Sequence, residues 1–181
     1  MIVLETERLK LRLMRLDDLQ NLLGIFSDAE AMQFYPSTMD EYQTRQWIQR
    51  TLIRYEKDGF GLWIVELRDS GEFVGQCGLI AQNVNEKPEV EIGYLFLRRW
   101  WGRGLATEAA CACRDFGFRK LGLKRLISII DPENIASRRV AEKVGMKVVG
   151  ETEMWGRWMC LYAIFAPKTF LNHNEAKGRK E

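Results

Sequence analysis

VEIGYLFLRRWWGRGLATEAACACRDFGFRKL, residues 90–121, decides how this chain is read. It opens as an apolar strand, passes through a loop carrying Arg99, Gly102 and Gly104, and enters an amphipathic helix near Leu105. A strand leading through glycines into a helix N-terminus builds an anion site. The loop N–H groups and the positive end of the helix dipole converge on one point. No proline lies between Leu97 and Thr107, so every residue there keeps its donor. Gly102 and Gly104 also let the backbone approach a ligand without a Cβ in the way. The expected ligand is phosphorylated.

Outward from this stretch the chain alternates strands and helices. Residues 8–14 place Leu9, Leu11 and Leu13 opposite Arg8, Lys10 and Arg12, the alternation of a half-buried strand. Asp17 is a candidate N-cap for a helix to Phe26, and Asp40 for a second to Lys57, ended near Gly59. Strands at 60–68 and 72–81 join through Asp69-Ser70-Gly71, and residues 83–88 read as a polar loop. After the central stretch come a strand at 124–130, a short helix at 135–144 stopped by Gly145, and strands at 146–154 and 157–166. This is an α/β pattern of seven strands and about four helices. Residues 1–171 read as one domain and 172–181 as a polar tail.

Composition excludes several chemistries. The 181 residues, 46% of them hydrophobic, can bury one sizeable core. A net charge of +2 gives no reason to expect nucleic acid or an anionic membrane as partner. No apolar run approaches the ~18–20 residues of a membrane span. The N-terminus carries charges early rather than a signal-peptide core, so the cytoplasm is the expected compartment. Cys77 and Cys160 stand alone in strands, and Cys111 and Cys113 point to different helix faces, so buried free thiols are expected. His173, the one histidine, falls in the tail. A Ser–His–Asp triad, a Cys–His pair and a His-ligated metal are therefore closed to the body of the chain, and no metal is expected.

Three glycine-loop patterns compete for the phosphate. G-x-x-x-x-G-K-[ST] is absent, and G-x-G-x-x-G fails because Thr107 stands at the third glycine. R-x-x-G-x-G fits Arg99, Gly102 and Gly104. It is followed about thirty residues later by N-x-x-S at Asn134 and Ser137. With ETERLKLRL (5–13), EIGYLFLRRWWGRGLATEA (91–109) and DPENIASRRVAEKVGM (131–146), the chain resembles the GNAT superfamily of acyl-coenzyme A-dependent N-acetyltransferases, most closely its RimJ/RimL-like branch.

That resemblance implies a mixed, mostly antiparallel seven-stranded GNAT sheet and acetyl-CoA as the acetyl donor. Gly102, Arg103, Gly104, Leu105 and Ala106 would cradle the pyrophosphate, and the backbones of Leu95 and Phe96 would pair with the pantetheine arm. Asn134 matches the family asparagine beside the cofactor, and equally suits a helix cap. Arg138, Arg139 and Lys143 suit either the 3′-phosphate or a solvated helix face. Glu91 matches the glutamate that removes the amine proton through water, or else positions the amine. Many members carry a tyrosine seven residues after the asparagine, where this chain has Ala141. Ser137 is the branch's suggested substitute as acid to the thiolate, with Tyr94 and Tyr162 as further hydroxyls. The implied partner is an amine acceptor, a peptide N-terminus or a small molecule, bordered by Phe34-Tyr35-Pro36 and the hairpin at 155–158. The implied assembly is a monomer or homodimer. Two alternatives stay open: a non-catalytic acyl-CoA-binding or interaction module with the same fold, and a longer acyl donor.

Overall fold

The computed structural model describes residues 1–169. The tail expected at 172–181, with His173, lies outside them. In chain order, β1 (Ile2–Glu5) and β2 (Leu9–Arg12) are followed by α1 (Leu19–Phe26) and α2 (Glu41–Asp58). Then come β3 (Leu62–Leu67), β4 (Phe73–Val84), β5 (Lys87–Phe96) and α3 (Leu105–Arg119). The order ends with β6 (Arg125–Ile130), α4 (Ile135–Val144), β7 (Lys147–Met154) and β8 (Arg157–Phe165).

The strands form one eight-stranded sheet in the order β1-β2-β3-β4-β5-β6-β8-β7. Only β5 and β6 run parallel. The strand beyond the expected seven is β1. Its four residues, IVLE, show no alternation, and it pairs with β2 at the sheet edge through an irregular register.

The sheet is covered on both faces. In β3, Leu62 and Ile64 pack with Leu22, Ile25 and Ile48 of α1 and α2. Trp63 and Val65 point the other way, into a core with Leu105, Ala109 and Cys113 of α3 and Ala141 and Val144 of α4. Cys77 is not alone: its sulfur lies 3.5 Å from that of buried Cys113, both thiols being free. Burial pushes the Cys113 thiol well up, so it stays protonated.

Two further expectations are corrected. Residues 83–88 form a tight hairpin rather than a loop, with Asn85 (φ 49°) and Glu86 (φ 64°) turning directly between β4 and β5. Positive φ at both turn residues gives the type I′ twist that matches two strands. The cap of α1 is Asp18 rather than Asp17. Asp18 is buried, accepts both terminal guanidinium nitrogens of Arg12 at 2.9 and 2.6 Å, and accepts the Arg15 N–H at 2.7 Å. That pairing draws Arg12 inward against the alternation of its strand. Asp40 caps α2 as expected, accepting the Gln43 N–H at 2.8 Å. No helix among the described residues is long and apolar enough to cross a membrane.

Candidate active site

Strand β5 ends at Phe96, and a 3₁₀ turn (Arg98–Trp100) leads into the glycine loop. Gly102 (φ 72°) and Gly104 (φ 76°) are both left-handed, conformations an L side chain adopts at a cost. Gly104 caps α3, and the first helical bond runs from Glu108 N–H to the Gly104 carbonyl at 3.0 Å. The N–H groups of Leu105, Ala106 and Thr107 therefore precede the helical ladder and remain as donors. They border a cavity of about 370 Å³ lined also by Gly102, Gly104, Asn134, Arg139 and Lys143.

These residues fit a pyrophosphate on a long thiol arm. A Cβ at Gly102 would meet no protein atom within 4 Å, so open space rather than packing lies over the loop. The buried indole Nε1 of Trp100, beside the loop, has no partner among the described residues. Arg103 is arranged otherwise than expected. Its guanidinium lies 4.8 Å over the Trp100 ring, outside the cavity wall, and its carbonyl accepts from Arg8 at 2.9 Å. Arg99 pairs with Glu72 at 3.0 Å and so braces the loop from outside. Arg138 is committed to the Tyr162 hydroxyl (3.0 Å) and the Pro132 carbonyl (3.1 Å), leaving Arg139 and Lys143 toward the cavity.

Beside the loop the sheet comes apart. Strands β5 and β6 share one registered pair, Glu91 with Ile127. The Ser128 hydroxyl then bonds the Ile92 carbonyl at 2.9 Å, and no registered pair between the described residues of the two strands follows it. The Tyr94 hydroxyl ties the far side, donating to the Ser137 carbonyl at 2.9 Å. Register decides which groups face the gap. Leu97 N–H bonds Val74 on β4 at 3.0 Å, so Leu95 and Leu97 turn their backbone groups to β4. The expected backbone role of Leu95 is thereby corrected: it lines the cavity, but Tyr94 and Phe96 turn their backbone groups to the gap instead. The Phe96 carbonyl is already taken by Trp101 Nε1 at 2.9 Å, which leaves the Phe96 N–H.

A second cavity, about 290 Å³, opens on the α1–α2 face and holds Glu91, Gln82, Arg54, Trp47, Asp131 and Trp155. The two cavities share Phe34, Tyr35, Tyr94, Leu95, Asn134 and Ser137, so they meet at the divergence of β5 and β6. Glu91 is half-buried, accepts from the Gln82 amide, and sits 3.5 Å from the Ile129 N–H. Desolvation pushes its carboxyl up to about 7, against the pull of Gln82, Ile129 and Arg54. Glu89, by contrast, is paired with Arg125 at 3.2 Å.

Asn134 caps α4, its Oδ1 accepting the Ser137 N–H at 3.1 Å, which leaves its amide NH₂ to offer the shared wall. Ser137 joins the same wall. Tyr162 is core, 1% exposed and bonded to Arg138. Sequence reasoning missed Arg8 and Gln82. Arg8 bonds the loop carbonyl of Arg103 and pairs with Glu108 of α3 at 2.6 Å, across about a hundred residues. Gln82 is found only through the β4–β5 register, which sets it diagonally across from Glu91.

A sheet opened beside a glycine loop, with a carboxylate on the far side of the gap, is an arrangement that suits an acetyltransferase. Residues 8–147 match the family described as acetyltransferase (GNAT) domain, and the chain belongs to that family. It is 41% identical over 160 residues to the uncharacterized protein YkkB of Bacillus subtilis (strain 168), covering 88% of this chain and 93% of that one. It is 32% identical over 154 residues to the uncharacterized N-acetyltransferase p20 of Bacillus licheniformis, covering 83% and 85%. The fold is shared with RimL, a ribosomal L7/L12 α-N-protein acetyltransferase solved in complex with coenzyme A. That match has TM-score 0.76 at 17% identity and covers 92% of this chain and 98% of that one.

Proposed function

We propose that this acetyltransferase moves the acetyl group of acetyl-CoA onto a primary amine by direct attack. One observation carries the reading: the two cavities meet at the opened strands. A thioester entering from the glycine loop and an amine entering from the Glu91 side would converge there without displacing protein. Glu91 takes the amine proton through water. A carboxyl near 7 is poised to do so at neutral pH. The N–H of Phe96 is a backbone donor available to the thioester carbonyl as it becomes an oxyanion.

The same value bears on the acceptor. Passing a proton from an α-amine of pKa ~8 to a base near 7 is uphill by about 1.4 kcal/mol. From a lysine amine of pKa ~10.4 it is uphill by about 4.6 kcal/mol. A peptide N-terminus or a weakly basic small amine suits this site better than a lysine side chain. Calorimetry with acetyl-CoA, followed by thiol release against peptides with free Ala or Ser N-termini and small polyamines, tests this. Submillimolar binding and acceptor-dependent thiol release are expected; absence of either overturns it.

A further inference from the structure

The reaction leaves one group without a partner, the thiolate of coenzyme A. Helix α4 offers no phenol for it, because position 141 is a buried alanine. The chain has five tyrosines. Tyr42 accepts from Gln46, Tyr55 bonds the Leu62 carbonyl and the Met14 N–H, Tyr94 donates to Ser137, and Tyr162 holds Arg138. Tyr35 alone has a hydroxyl with no hydrogen bond among the described residues. It follows α1, and it belongs to the wall shared by both cavities.

Its ring is also held. Trp155, at the tip of the β7–β8 hairpin, lies 5.6 Å from the Tyr35 ring centroid at 45°. Trp155 has φ 56°, a left-handed backbone where a two-residue hairpin favours asparagine or glycine. It is 53% exposed, so burial does not compensate for that conformation. A strained bulky residue at a cavity mouth marks a contact that the fold retains for use. Here the contact is Tyr35.

We propose that Tyr35 donates a hydrogen bond to the departing coenzyme A sulfur, with Trp155 holding its ring at the junction. This rests on the acetyl-transfer reading above. As the amine nitrogen bonds the acetyl carbon, the carbon–sulfur bond breaks and its electron pair leaves on sulfur. The ammonium proton passes to Glu91, and the thiolate leaves as an anion that solvent later protonates. Burial pushes the Tyr35 hydroxyl up to about 12, so it stays protonated at neutral pH. A thiol ionises near ~8.5. Outright transfer from Tyr35 to sulfur would therefore be uphill, and the phenol acts by stabilising the anion. Ser137 shares the wall, but a phenol is the more acidic and hence the stronger donor to a thiolate. The charged groups around the two cavities are Glu30, Glu91, Asp131, Arg54, Arg139 and Lys143.

The test titrates the thiol of enzyme-bound coenzyme A by thiolate absorbance in wild type, Tyr35→Phe and Ser137→Ala, alongside kcat. A hydrogen bond to a charged sulfur predicts that Tyr35→Phe raises the bound thiol's pKa by about one to two units. It also predicts a kcat roughly tenfold to a hundredfold lower, with coenzyme affinity and acceptor KM unchanged. Trp155→Gly keeps the hydroxyl and relaxes the turn; it should lower kcat without lowering Tm, and it carries the test should Tyr35→Phe fail to fold. An unmoved thiol in Tyr35→Phe, a thiol moved only by Ser137→Ala, or a change confined to acceptor KM overturns the role of Tyr35. Failure of wild type to bind coenzyme A overturns the donor reading itself.

Discussion

At Glu91, desolvation raises the carboxyl to about 7, while the Gln82 amide, the Ile129 N–H and Arg54 pull it down. The folded value lies above the unfolded one of 4.5, so between those values the folded chain holds a proton that the unfolded chain has released. Stability from this group is present below about 4.5 and is lost as pH rises through about 7. In the proposed role of base Glu91 must be ionised, so activity runs the opposite way: kcat/KM should rise with pH to a plateau above about 7. Glu91→Gln should remove that limb and lower kcat by roughly 10²–10⁴-fold with coenzyme affinity intact. It should also raise stability above pH 7, as denaturant unfolding at pH 5 and 8 would read. Gln82→Leu removes one of the groups that favour the anion, so its limb should move to higher pH. A limb unmoved by either change would mean that Glu91 is not the base. The place of Glu91 on the central strand was legible, because the apolar run leading into the glycine loop marks that strand. Gln82 was not, because its importance comes from cross-strand register.

The glycine loop and the first turn of α3 act as one element, and Arg8 holds it. Its guanidinium bonds the Arg103 carbonyl at 2.9 Å and Glu108 at 2.6 Å, and Thr6 adds a 2.6 Å bond to Glu108. Partial burial pushes the Glu108 carboxyl up, yet Thr6 and Arg8 outweigh that and leave it below its usual range. Arg8→Met should free the loop and weaken coenzyme binding severalfold by calorimetry, while kcat at saturating acetyl-CoA stays close to wild type. A fall in kcat with unchanged affinity would assign Arg8 elsewhere. Gly104→Val places a β-branched side chain at φ 76° and should abolish binding outright. Elements with long periodic patterns were legible: α2 from its cap at Asp40 to Gly59, and α3 from the glycines onward. The edge strand β1 and the clamp of Arg8 were not. A four-residue strand has no period to read, and the Arg8–Arg103 contact spans 95 positions. The pairing of Leu95 was misread for a related reason. The apolar run identifies the strand, but which residues turn their amides to the gap depends on where β4 pairs.

A sheet buried on both faces normally has no passage through it, since a lost ladder bond leaves a buried polar group unpaired. Here the passage exists because β5 and β6 give up their ladder after Glu91 and Ile127. Beyond that pair, side chains make the links: Ser128 to the Ile92 carbonyl and Glu91 to the Ile129 N–H within the sheet, and Tyr94 to the Ser137 carbonyl of α4. A pantetheine arm lying in the gap would supply the missing amides and join β1–β5 to β6, β8 and β7. Coenzyme should therefore stabilise the whole molecule. At a hundred times its Kd, a ligand binding only the folded state adds about 2.7 kcal/mol. For a domain of this size that corresponds to a Tm rise of roughly 5–11 °C. Glu91→Gln, which leaves the gap and loop intact, should show the same rise as wild type, whereas Gly104→Val should show none. The contrast separates a bridging ligand from a loosely held one. If saturating coenzyme A moves the Tm of wild type by less than about 2 °C, the arm does not lie between the strands.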